Sequence, residues 1–207
     1  EEAARYRAAA DHMRAAMIEH MWCEDGGQFA RTVNLQEDGS YTRDMTIDAS
    51  AWGLFAMGAL PAHDPRVESH MNVVRDRLTV GTDVGGVARY ENDYYHQIES
   101  TDLKRVPGNP WAICTLWMAQ YEIARSTEID ELKAALPWME WTRDRAMESG
   151  VLAEQFDPYS GAPISVSPLT WSHATVMTTV VQYLLKHAAL TGRPAGTVAE
   201  LIRAHRD

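Results

Sequence analysis

Residues 47–60 read Ile-Asp-Ala-Ser-Ala-Trp-Gly-Leu-Phe-Ala-Met-Gly-Ala-Leu, apolar almost all the way round a helical projection. A helix without a polar face has to be buried on most of its sides. Before it, residues 1–22 place Tyr6, Met13, Met17, Ile18 and Met21 at spacings of three and four, the stripe of a helix with one buried face. After it, residues 65–80 are again amphipathic, 109–125 nearly all apolar, 128–148 amphipathic and 170–190 apolar. The order is outer, inner, outer, inner, outer, inner, and strand-like alternation is scarce. The chain is therefore predicted to be all-α, with inner helices sharing a core.

A spacing supports the repeat. Trp52, Trp111 and Trp171 stand near the starts of the three apolar segments, 59 and then 60 residues apart. Two helices per unit at this period describe stacked helical hairpins, either as an open α-solenoid or as a closed toroid. The connections leading into the inner helices are long, about 25, 28 and 22 residues, whereas outer helices follow inner ones after only a few. Long loops on one face of a compact domain usually build a site. These three are predicted to gather over one mouth, at the N-terminal ends of the inner helices.

Composition narrows the function. With 207 residues, 45% apolar and 23% charged, the chain suits a single globular domain with a sizeable core, taken here as residues 1–207. A net charge of −10 argues against nucleic acid or an anionic membrane surface, both of which need a basic face, and makes a neutral substrate the easier fit. Cys23 and Cys114 make no disulfide framework, and Cys114, inside an apolar helix, reads as a small buried hydrophobe. The acidic, amphipathic N-terminus is not signal-like, which tilts slightly towards the cytoplasm, although a fragment would have lost its leader. No cofactor is implied. A zinc site would need converging Cys and His ligands, and the eight histidines are scattered, with only His96 and His173 on the right loops.

The loops carry the chemistry. Gly85-Gly86-Val87-Ala88-Arg89-Tyr90-Glu91-Asn92-Asp93-Tyr94-Tyr95 is followed by Gly108-Asn109-Pro110-Trp111. Sugar rings present flat apolar faces rimmed by hydroxyls, so their sites combine aromatic platforms with bidentate polar groups. Arg89, Asp93, Tyr95 and Trp111 supply both; the plainer alternative is that Asp93 pairs with Arg89, the tyrosines staple the loop, and Pro110 occupies the first position of a helix. In the third loop, Val151 to His173, Glu154 is presented on a segment punctuated by Pro158, Gly161, Pro163 and Pro168, which has few backbone states to lose.

These motifs resemble the glucoamylase and glucodextranase family of glycoside hydrolases, family fifteen. The Arg-Tyr-x-x-Asp-x-Tyr-Tyr pattern is matched by Arg89, Tyr90, Asp93 and Tyr95, and Gly-Asn-Pro-Trp follows. Glu154-Gln155-Phe156-Asp157 is similar to the last catalytic motif, Leu169-Thr170-Trp171-Ser172 to the start of the last inner helix, and Ile47-Asp48-Ala49-Ser50 to that of an earlier one. The likeness runs from about residue 1 to about residue 190. His96 departs from the second tyrosine, and residues 96–107 add a polar stretch.

The resemblance implies a barrel of six helical hairpins, an (α/α) toroid, of which this chain would be the C-terminal half with three hairpins. It implies that Glu154 is the general base of an inverting, exo-acting hydrolysis of terminal α-glucosidic bonds, that Arg89 contacts the terminal sugar, and that Tyr90, Asp93, Tyr95, Trp111 and Trp171 belong to the same saccharide site. Gln155 either orients the base or serves structure alone, and Asp48 reads first as a helix cap. The general acid has no counterpart, since neither Glu91 nor Glu148 stands in a matching motif. The chain alone is then expected to be inactive, and its cut apolar edges, Trp52 and Met57 among them, to meet the N-terminal half of the barrel or a second copy. A non-catalytic carbohydrate-binding or scaffolding helical repeat is the alternative.

Overall fold

The computed structural model describes residues 1–192. Its seven α-helices are α1 (Glu2–Met21), α2 (Gly53–Ala56), α3 (Pro65–Leu78), α4 (Ala112–Arg125), α5 (Ile129–Leu132), α6 (Leu136–Asp144) and α7 (Thr170–Leu190). α4 is the hub. Every residue from Ala112 to Ile123 is buried, and each of its large apolar side chains contributes about 1.5–3 kcal/mol by leaving water. On one flank α4 meets α7, on another α6, and Trp117 on α4 stacks on Trp52 at 4.8 Å while meeting Trp171 edge-on at 5.9 Å. The three inner segments are thus in register. Buried Gln120 reinforces that register, accepting from the Trp52 indole at 2.7 Å and donating to Thr179 at 2.8 Å.

The outer layer follows from ordinary end signals. Asp64 caps α3 by accepting from the Arg66 amide at 2.9 Å, Pro65 takes the first helical position, and Val67, Met71, Val74 and Leu78 form its buried stripe. α5 continues through a 3-10 turn, Lys133–Ala135, into α6, whose Pro137 lies in the first turn where its missing N–H costs nothing.

Three expectations need correction, and small strands are added to the all-α frame. Residues 47–60 do not form a long inner helix: a 3-10 turn, Ala49–Trp52, runs into the single turn of α2, and Gly58 then turns left-handed (φ +74°) ahead of Pro61. Glycine and proline there outweigh the apolar content. α1 buries no residue completely; only Met17, Ile18 and Met21 at its C-terminal end join the core. Trp52 is not a free edge, being stacked and hydrogen-bonded, whereas Met57 is 74% exposed. Finally, the loops contain three small antiparallel hairpins, β1 (Trp22–Cys23) with β2 (Gln28–Phe29), β3 (Thr32–Leu35) with β4 (Tyr41–Asp44), and β5 (Gln155–Phe156) with β6 (Pro163–Ile164). None is central, and the core is helical. Among the described residues no helix is long and apolar enough to cross a membrane.

Candidate active site

The three long loops are stitched together edge to edge by isolated antiparallel bridges. Asp48 pairs with Tyr90, Ala88 with Pro110, and Trp111 with Gln155. Backbone hydrogen bonds hold each joint: the Ala49 amide donates to Arg89 at 2.8 Å, Trp111 to Val87 at 2.9 Å, Ala112 to Glu154 at 3.2 Å and Phe156 to Pro110 at 3.0 Å. Pro110 therefore lies in extended chain, not at the first helical position, and α4 begins two residues later. The last inner helix joins the same seam, because Leu169 donates to the Leu152 carbonyl at 3.1 Å and the Ser172 hydroxyl to Ala153 at 3.0 Å. All three inner starts consequently meet at one end, as the loop lengths predict.

Arg89 is fixed from several sides. Asp93 accepts from its Nε at 2.8 Å and its Nη2 at 2.7 Å, while the guanidinium carbon lies 4.5 Å from the Trp111 ring centroid, 4.9 Å from Tyr90 and 5.4 Å from Tyr95. Such a cage restrains the fork and strengthens cation–π attraction by excluding water. Burial works against the Arg89 charge, but the Asp93 bonds outweigh it and the pKa is raised. The Tyr90 hydroxyl is pushed up too, by burial first and by Asp93 second. It remains protonated and able to donate.

Glu154 is half-buried. Its Oε2 accepts from the Ser165 hydroxyl at 2.5 Å and from the Gln155 amide at 3.3 Å. The orientation of Gln155 is imposed from Asn109. The Ile98 amide donates to Asn109 Oδ1 at 3.1 Å, and Asn109 Nδ2 donates to the His96 carbonyl at 2.8 Å, so backbone groups decide which way the asparagine faces. Nδ2 also donates to Gln155 Oε1 at 2.8 Å, and this turns the Gln155 NH2 group towards the glutamate. Neither Asn109 nor Ser165 is singled out by the sequence reading. Asn109 stands in the quoted Gly-Asn-Pro-Trp run and could have been asked what a buried amide there satisfies; Ser165 owes its position to a left-handed backbone (φ +62°), which no residue type announces.

Burial divides the residues expected at the substrate. Gln155 is 0% exposed, Asp93 2% and Trp111 3%, so Gln155 and Asp93 hold their neighbours and have no surface for a ligand, and Trp111 chiefly lines Arg89. Arg89, Tyr90 and Glu154 are half-buried, Tyr95 is exposed, and Trp171 is 53% exposed beside Trp117. Asp48 caps the first inner turn, accepting from the Ser50 amide at 2.8 Å. Glu91 is structural: it pairs with Arg77 and accepts from the Ile47 amide at 3.0 Å. Cys114 is fully buried, and that burial drives its thiol well above the usual range.

Helical hairpins whose inner starts meet at one end through stitched loops are what part of an α/α toroid provides. The chain belongs to the glycosyl hydrolases family 15, whose family model matches residues 1–181. It is similar to a glucoamylase of Clostridium sp. (strain G0005), 28% identical over 195 residues that cover 84% of this chain and 27% of that protein. A trehalase of Mycobacterium tuberculosis (strain ATCC 25618 / H37Rv) is 28% identical over 184 residues, 88% of this chain and 24% of that one. The chain thus spans about a quarter of the length of these curated relatives. Among solved structures, a bacterial glucoamylase complexed with acarbose superimposes with a TM-score of 0.68 at 22% identity, over 99% of this chain and 32% of that one, a likeness of fold.

Proposed function

We propose that this chain is the C-terminal part of the catalytic barrel of an inverting, exo-acting α-glycoside hydrolase, and that Glu154 is its general base. The observation that carries the reading is the Glu154 carboxylate held by Ser165 and Gln155 on a seam two bridges, 88 to 110 and 111 to 155, away from the caged Arg89. Inversion needs a base that activates water on one face of the sugar and an acid, roughly 6.5–9.5 Å away, that protonates the leaving oxygen. Glu154 has the first role. The acid comes from outside these residues, so the chain by itself is inert.

Arg89, positioned by Asp93 and Trp111, grips hydroxyls of the terminal sugar, with Tyr90, Tyr95 and Trp171 as its aromatic surroundings and Gln155 as the orienter of the base. The substrate is an oligo- or polysaccharide of α-linked glucose, and the curated relatives span both glucoamylase and trehalase, so the linkage stays open between them. Exposed Met57 and Met13 suit contact with the rest of the barrel or with a second copy. In the full-length protein Glu154→Gln is expected to lower kcat by about 10²–10⁴-fold with KM little changed. Activity within tenfold of wild type would remove Glu154 from the chemistry.

A further inference from the structure

Asp48 uses only one of its oxygens as a cap. Its Oδ1 accepts from the Ser50 amide, while Oδ2 accepts no hydrogen bond among the described residues and faces Arg31 Nη1 at 3.9 Å. Arg31 is held in turn by Asp44, whose Oδ2 accepts from both its Nε and its Nη2, so its Nη1 remains available. The Arg31 guanidinium lies 5.4 Å from the centroid of the Tyr90 ring, the ring that Arg89 also approaches. Pairing of Asp48 with Tyr90 places the two residues side by side.

Asp48 and Arg31 also rim a cleft of about 260 Å³ together with Ser50, and its apolar floor includes Met21, Ala51 and Leu54. That is smaller than the roughly 300–1,000 Å³ of sites for drug-sized molecules, and so suits one ring. A free carboxylate oxygen beside a guanidinium N–H offers one acceptor and one donor to neighbouring hydroxyls, and the apolar floor takes a ring face. An anion would be repelled by Asp48.

We propose that Asp48 and Arg31 form a second hydroxyl-binding edge of the saccharide site, next to the one made by Arg89. It rests on the reading of the site as a saccharide site and adds two ligand-contacting residues to it. Asp48→Asn is the informative change, because asparagine caps a helix as well as aspartate does but puts an amide donor in place of either the cap or the free oxygen. The cap fixes which: Oδ1 stays with Ser50, and the hydroxyl loses its acceptor.

The experiment titrates maltose, isomaltose and trehalose into the full-length protein carrying Glu154→Gln, so that nothing is hydrolysed, with and without Asp48→Asn. Arg31→Gln serves as a second variant in case the first folds poorly. The expected result is a Kd raised at least threefold for every sugar that binds, by either folded variant, with Tm unchanged. A smaller rise while the parent binds sugar would overturn this inference and leave the saccharide reading standing. No binding of any of the three sugars by the parent would overturn both.

Discussion

Removing the Asn109 side chain tests how Glu154 is held. Asn109→Ala deletes three hydrogen bonds at once, to Ile98 N–H, the His96 carbonyl and Gln155 Oε1. His96 is exposed and Ile98 half-buried, so water can replace those partners at a net loss of about 0.5–1 kcal/mol each. Gln155 is wholly buried and has no such recourse; leaving its oxygen unsatisfied costs about 1–3 kcal/mol. The sum is about 3 kcal/mol, which for a domain of this size lowers Tm by about 6–12 °C. Freed Gln155 also stops aiming its amide at Glu154. Urea unfolding followed by tryptophan fluorescence measures the stability, and kcat of the full-length protein measures the role proposed for Glu154. Asn109→Asp is the control: nearly the same shape, but an acceptor now faces two acceptors, and it is expected to be at least as damaging. If both variants lost less than about 1 kcal/mol, the buried relay from Asn109 through Gln155 to Glu154 would be wrong.

Two further outcomes follow from other parts of the structure. His70 accepts from the Phe29 amide through Nδ1 at 3.2 Å, and burial depresses its pKa from 6.5 to about 4. Between those values the unfolded chain takes up a proton that the folded one refuses, so this contribution is complete above pH 6.5 and is lost as pH falls towards 4; from pH 7 to pH 5 it amounts to about 2 kcal/mol. His70→Asn keeps an acceptor without the charge, and urea titrations at both pH values should show a shallower acid loss for it than for wild type; equal losses would discount His70. Gly86 has φ +83°, and a Cβ there would meet Trp141 Cζ2 and lie 2.7 Å from its Cε2 and 2.8 Å from Pro110 Cβ. Gly86→Ala is expected to cost about 2–5 kcal/mol through overpacking and left-handed strain, visible as a lower Tm, and an unchanged Tm would mean that Trp141 yields freely.

The parts of the fold legible in the sequence are those where many residues say the same thing. α4 and α7 announce themselves through long apolar runs, and the evenly spaced Trp52, Trp111 and Trp171 do fall together at the starts of the inner segments, two of them in contact with Trp117. The 47–60 stretch misleads because its apolar content runs on through Gly58 and up to Pro61, which cut the helix to a turn. α1 misleads differently, since a stripe that includes Tyr6 and Met13 shows that a face wants burial and not that the surrounding chain provides it. In the site, residue types pointed to Arg89 and Trp111, but their division of labour was not visible. Burial decides that Asp93 and Gln155, each open to more than one reading in the sequence, act on their neighbours, and only backbone pairing shows why Glu154 and Arg89 share a seam.

That seam explains how loops of such length hold a site. A free loop of two dozen residues would scatter a side chain over many positions, and ordering it costs roughly 1–2 kcal/mol of backbone entropy for each residue fixed. Here the ordering is shared: every joint, 48 to 90, 88 to 110 and 111 to 155, uses backbone groups at or beside the start of an inner segment that the core already immobilises. The positions of Arg89 and Glu154 thus depend mainly on α4 and its neighbours, all within these residues. What the helices here do not provide is a wall on the α1 side, where Tyr6, Met13 and Met57 remain exposed. On the proposed reading of Glu154 as the base, its positioning is therefore local to this chain, whereas exclusion of water from the mouth and supply of the acid fall to whatever covers that side.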